Sequence, residues 1–347
     1  MGSGGSKRGR SAGSEQSTDD GKDKKGKAKK KKEKTYLIKT LTEHEGGINC
    51  MSMSEDGKIL VTGSEDKTAR VWDLQKDECV HVLKGHTGYI TCIQVVGEFA
   101  YTGSSDKKVR KWNVQTGECD VTIEGHAAPV NRLICTGDFL FTSSYDRTAM
   151  CWDPDDGELL HIFRGHKRGV TPLMYIPAED ALKDDVLDVA SNKDILITGS
   201  ADTTAKSWNM DTGDCEVTFR GHRGAVLTLA ADSTGLVLFT GSGDSTVRSW
   251  NITTGEQYKV FEGHQSSIIC IQVVQKLMYT GSSDCNAKCW VTEFGDCTRT
   301  YQGHRHTITT LKFHEGLLYT GCGDNLTRVF DAKSGALKRT FKDTNML

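Results

Sequence analysis

Three residue types recur along this chain in one register. His44, His86, His126, His166, His222, His264 and His304 follow one another at 40 or 42 residues, with a single interval of 56. Asp66, Asp106, Asp146, Asp202, Asp244, Asp284 and Asp324 keep the same spacing. Six residues beyond each Asp stands an aromatic: Trp72, Trp112, Trp152, Trp208, Trp250, Trp290 and Phe330. A period of this length marks copies of one supersecondary unit, none of which can bury its apolar face alone. What one unit folds into therefore decides the architecture.

Inside a unit the apolar residues alternate or come in short runs, as in INCMSMS, ILVTGS, ARVWDL and CVHVLK, and Asp-Gly, Thr-Gly or Ser-Gly turns bound them. That pattern predicts four short strands per unit and no helices. The chain has only 4 prolines in 347 residues, as paired central strands require. No run of 18 apolar residues occurs, which predicts no transmembrane helix.

The Gly-His dipeptides, the Asp and the Trp-Asp or Trp-Asn endings resemble the WD-repeat family over residues 36–341. The resemblance implies an all-β, seven-bladed β-propeller, with four-stranded blades around a central channel. It also implies a buried tetrad in each blade. The His lies in the loop before the first strand, a Ser or Thr on the second, the Asp in the following turn and the Trp on the third. In this sequence the tetrads are His44, Ser64 (or Thr62), Asp66 and Trp72; then His86, Ser104, Asp106 and Trp112; His126, Ser144, Asp146 and Trp152; His166, Ser200, Asp202 and Trp208; His222, Ser242, Asp244 and Trp250; and His264, Ser282, Asp284 and Trp290. A buried carboxylate is tolerated when its lone pairs are filled in this way. The rival is a Ser–His–Asp hydrolytic site. Sevenfold repetition favours structure, and no catalytic residue, metal ligand set or cofactor site is assigned. Unit seven departs, with Phe330 for Trp and Cys322 for Ser, and is expected to be the weakest blade.

Two segments compete for the last sheet edge, Tyr36–Leu41 before unit one and Ala336–Phe341 after unit seven. The expectation is a seven-bladed ring with one of them displaced; the alternative is a truncated eight-bladed parent. Unit four carries an insertion over 177–194, PAEDALKDDVLDVASNKD, read as a solvated excursion or an acidic docking knob with a short helix.

The resemblance further implies that partners bind the top face. There Tyr89 and Tyr145 would be aromatic anchors, Leu227 and Ile269 an aliphatic pair, and Asn131 and Glu65 polar neighbours. The expected function is a non-catalytic, monomeric scaffold or adaptor for protein partners. W-D-x-R endings of the ubiquitin-ligase type are absent from Trp72-Asp-Leu-Gln, Trp152-Asp-Pro-Asp and Phe330-Asp-Ala-Lys.

Charge divides the chain. Lys24–Lys34 holds eight Lys and one Glu, and with a net charge of −2 overall and a balanced 7–23 the remainder from Thr35 carries −9. Residues 1–35 thus read as a disordered basic tail, 36–342 as the propeller and 343–347 as its end. Gly2 with Ser6 fits N-myristoylation, and the lysine run would supply the second signal at an anionic membrane. The same run fits nuclear import or non-specific nucleic-acid binding, so a cytoplasmic, membrane-associated or nuclear location stays open. Twelve cysteines without a CxxC pair read as small core fillers rather than zinc ligands or disulfides. GKDKKGKA lacks the Ser or Thr of a phosphate-binding loop.

Overall fold

Residues 48–83 make the first blade: β1 (Ile48–Met53), β2 (Ile59–Ser64), β3 (Ala69–Asp73) and β4 (Glu78–Leu83), paired antiparallel in chain order. The hairpins form where the sequence supplies their turns. Gly57 takes φ +69° between β1 and β2, and Lys67 takes φ 71° between β2 and β3. The residue after each repeating Asp is left-handed in all seven units: Lys67, Lys107, Arg147, Thr203, Ser245, Cys285 and Asn325. A β-branched residue in that region is strained, so Thr203 carries a local cost.

The computed structural model describes residues 40–178 and 193–342. Among them are seven four-stranded sheets and no helix. The expectations for Gly2, the lysine run, residues 343–347 and most of the unit-four insertion lie outside the described residues. At the base of that insertion the Ala178 amide donates to Asp194 Oδ1 at 2.7 Å.

Each sheet comes from one continuous segment, so blade seven is completed by the segment that follows its own third strand. Its strands are β25 (Ile308–His314), β26 (Leu317–Cys322), β27 (Leu326–Asp331) and β28 (Leu337–Lys342), with Phe330 opposite Leu337 in the last pair. The competition for that edge resolves in favour of the C-terminal segment. Of Tyr36–Leu41, residues 40 and 41 form no strand and the rest lies outside the described residues.

The innermost strands of the intervening blades are β5 (Ile90–Val96), β9 (Val130–Cys135), β13 (Val170–Ile176), β17 (Val226–Ala231) and β21 (Ile268–Val274). From β1 to β25 each packs against the next. Six apolar cores result, one per interface. Leu83 meets Trp112 across the first, Ile123 and Trp152 share the second, and Phe163 lies 5.7 Å from Trp208, Phe219 5.8 Å from Trp250, Phe261 6.1 Å from Trp290 and Tyr301 5.5 Å from Phe330, centroid to centroid. Burying such rings supplies most of the cohesion between blades. Among the described residues no corresponding core joins blade seven to blade one. Among the described residues the ring is open there.

The cysteines divide between core and surface. Cys92 and Cys135 are buried in inner strands, whereas Cys119, Cys215 and Cys297 lie exposed at the start of outer strands. The outermost strand of a propeller blade has one face in solvent, which periodicity alone does not reveal.

Candidate functional site: buried tetrads and the rim they hold

In blade one the His44 imidazole bridges two groups. Nδ1 lies 2.7 Å from Asp66 Oδ2 and Nε2 lies 2.8 Å from Thr62 Oγ1. The Trp72 indole N–H donates to the same Thr62 oxygen at 2.8 Å. Since indole only donates, Thr62 accepts from it and passes its own proton to Nε2. Nδ1–H then donates to the carboxylate, so the neutral Nδ1–H tautomer satisfies every group. Asp66 also accepts from the Glu45 and Thr68 amides at 3.1 and 2.9 Å.

The hydroxyl of the tetrad is therefore the Thr, two residues before the Ser singled out from sequence. Thr102, Thr142, Thr198, Thr240 and Thr280 receive the indole N–H of Trp112, Trp152, Trp208, Trp250 and Trp290 at 2.8–2.9 Å. Ser64, Ser104, Ser144, Ser200, Ser242 and Ser282 serve the turn instead: each Oγ accepts the amide of its Asp at 3.1 Å. Four of them, Ser144, Ser200, Ser242 and Ser282, donate onward to the loop that carries the His. Alternation alone cannot separate Thr from Ser, since two residues apart on a strand they share a face. Pairing register separates them. Trp72 stands opposite Leu60, two positions from Thr62 and four from Ser64, so its indole reaches the nearer hydroxyl.

Electrostatics agree with a neutral imidazole. Burial lowers the pKa of His86, His222 and His264 against the pull of their aspartates. Burial tends to raise the Asp66 carboxyl, but Thr68, His44 and main-chain amides outweigh it and hold it well below the usual range. The same balance leaves Asp244 at about 2.

Blade seven is rewired. With no indole at Phe330, Arg328 turns inward, its Nη1 2.9 Å from Asp324 Oδ2 and in hydrogen-bond contact with His304 Nδ1. The His304–Asp324 distance opens to 3.5 Å. Nδ1 must now accept, so Nε2–H donates to Thr320 at 2.7 Å and Thr320 donates to the Arg328 carbonyl. The tautomer is reversed relative to the other blades. A basic residue four after the Asp recurs in the sequence as Arg70, Arg110, Lys206, Arg248 and Lys288, so the signal was present but its inward turn was not. His304, Cys322 and Asp324 come within 4.8 Å of one another. The Arg328 guanidinium supplies the positive charge at that point.

The tetrads hold the rim. In every blade the residue before the Asp donates its amide across to the loop after the His. The pairs include Glu65 to Gly47 at 2.9 Å, Ser105 to Tyr89 at 2.9 Å and Tyr145 to Pro129 at 3.2 Å. Tyr89 and Tyr145, on neighbouring blades, are 52 % and 61 % exposed. A Cβ at Gly169 would come 2.8 Å from Tyr145 Cδ1, so only glycine lets that ring lie across the next blade's loop. Glu65 is exposed, and Leu227 and Ile269 are half-buried. Asn131 is half-buried, and its Nδ2 donates to the Val170 carbonyl of the next blade at 2.7 Å. Asn49 and Thr91 do the same toward Ile90 and Val130, because a bulge in the first strand pair re-aims these side chains.

A family model described as "WD domain, G-beta repeat" matches residues 35–73, 77–113, 117–153, 213–251, 255–291 and 295–331. Human WD repeat-containing protein 86 is 60 % identical over 198 residues, 57 % of this chain and 53 % of that protein. Cell division control protein 4 of Saccharomyces cerevisiae is 43 % identical over 63 residues, 18 % of this chain and 8 % of that one. The aligned part thus spans about half of the human relative and far less of the yeast one. The crystal structure of the computationally designed Ika8 protein superposes with a TM-score of 0.75 at 28 % identity, covering 87 % of this chain and 88 % of that one. Repeat register, four-stranded blades, tetrads and these matches agree: the chain belongs to the WD-repeat family.

Proposed function

We propose that this protein is a non-catalytic scaffold that docks a protein partner on its top face around Tyr89 and Tyr145. The observation that carries the reading is that two large, exposed aromatic rings stand on adjacent blades of a rim whose backbone is tied by hydrogen bonds. Tyrosine anchors give contact area at low entropic cost when their backbone is already ordered. The acid, imidazole and hydroxyl groups that would suit hydrolysis are spent on one another within the tetrads, where their lone pairs and protons are filled. Proximity labelling in cells, with wild type beside a Tyr89→Ala/Tyr145→Ala variant of equal melting temperature, tests it. Loss of a defined set of neighbours is expected; an unchanged set removes the top-face assignment.

A further inference from the structure

The opening between blades seven and one has two walls that differ in chemistry. On the blade-one wall Ile48, Met51 and Met53 are 54 %, 69 % and 55 % exposed. Their counterparts in blade two are Ile90, Ile93 and Val95, of which Ile90 and Val95 are buried and all three pack on blade one. An apolar stripe of the kind that the other interfaces along the ring cover is left bare on this one.

The blade-seven wall carries the matching hollow. A Cβ built at Gly63, Gly103, Gly199, Gly241 or Gly281 would collide with the residue that opens the next blade: Ile90, Val130, Val226, Ile268 or Ile308. At Gly321 the same Cβ meets only Thr310 of its own blade. The polar struts are idle as well. Thr91 reaches the Val130 carbonyl across an interface at 2.6 Å, whereas Thr309, its counterpart, turns back to Gly321 of its own sheet at 3.5 Å. Gln94 and Gln272 bond the main chain of the next blade, while Lys312 at the equivalent position is exposed.

We propose that this opening is a docking seat for one further four-stranded blade of the same repeat type. Its first strand opens on Val or Ile, which enters the hollow at Gly321, and carries apolar residues three and five positions later. Its other face offers a glycine on the second strand to receive Ile48. This is the interface chemistry that the chain already uses five times. A second copy of the chain fits less well. If the Ile48 wall of one copy met the Gly321 wall of another, each would keep one wall bare, and the contact would propagate instead of closing. One blade satisfies both walls together.

The seat is separate from the top face, so its test is independent of the tyrosines. The probe is a soluble carrier fused to the sequence of residues 262–303, which holds Ile268, Ile271, Val273 and Gly281, titrated onto the full chain. Saturable one-to-one binding is expected, with hydrogen-exchange protection of 48–53. Ile48→Asp or Gly321→Leu should weaken it at least tenfold, and Tyr89→Ala/Tyr145→Ala should leave it unchanged. Gly321→Leu faces no neighbouring blade and asks only the Thr310 methyl to give way, so it should keep its fold without the probe. A second measurement appends the same segment after Lys342 of the full chain: the melting temperature rises, and the rise is lost with Gly321→Leu. Failure of both measurements overturns the proposal. So does binding indifferent to Ile48 and Gly321, or a chain that alone self-associates and protects 48–53.

Discussion

Arg328 donates from Nη1 to Oδ2 of Asp324 at 2.9 Å, where the other blades set an imidazole N–H. A guanidinium beside a carboxylate in a nearly closed site holds the charge that the lost indole network can no longer organise. Burial works to raise the Asp324 carboxyl, but the Arg305 amide, Cys322 and Arg328 together keep it well below the usual range. The seventh unit thus has a repair that its Phe330 and Cys322 do not disclose.

Replacing Arg328 by Met should destabilise the protein by about 3 kcal/mol, because it strands a largely buried carboxylate. The acid unfolding midpoint should move to higher pH, since Asp324 then protonates more readily. Urea denaturation at pH 7 and pH 4 checks both; an unshifted acid midpoint would show that Arg328 is not the partner that matters.

Thr102→Val should cost about 2 kcal/mol, leaving the Trp112 N–H without an acceptor and His86 Nε2 without a donor. Ser104→Ala deprives a single turn amide and should cost about half as much. Paired denaturation curves measure the order. The reverse order would restore the serines to the tetrads.

Stability should fall on mild acidification. The folded pKa values of His86, His222, His264 and His304 are depressed, the last by burial and by Arg328. The unfolded chain therefore binds protons first, and stability present above about pH 6.5 is lost as pH drops through the folded values. The depressed aspartates add a second loss below about pH 4. Melting temperatures between pH 7.5 and 3 should show two declines; a flat curve from 7.5 to 5 would contradict the neutral-imidazole assignment.

Thr203→Asn should stabilise by about 1 kcal/mol, because Asn accepts φ near +73° with less steric cost than a β-branched residue. Its hydroxyl has no role in the tetrad, whose oxygen comes from Thr198. A lowered melting temperature would mean that Thr203 does something beyond turning the chain.

Native alkylation followed by mass spectrometry should modify Cys119, Cys215 and Cys297 quickly. Cys92, buried with its thiol pushed up to about 11, and Cys151, pushed up to about 12, should react only on unfolding. Early labelling of Cys92 would place the second blade's inner strand in solvent.

The linear chain determined everything that rests on period and local stereochemistry. The recurring His, Asp and Trp set the number of blades. Alternation with Gly and Asp turns set the strands. The lone Phe330 marked the odd blade. Tertiary structure alone decided matters of reach and neighbourhood. Whether Thr62 or Ser64 meets the indole depends on how β3 is registered against β2, and both hydroxyls lie in one short run. Asn131 looks like a surface amide until a bulge points it at the next blade's carbonyl. The open interface depends on Ile48 and Gly321, residues more than 270 positions apart in sequence. A hydrophobic side chain and a glycine carry no mark of whether their partner is present, because burial belongs to the pair and not to either residue.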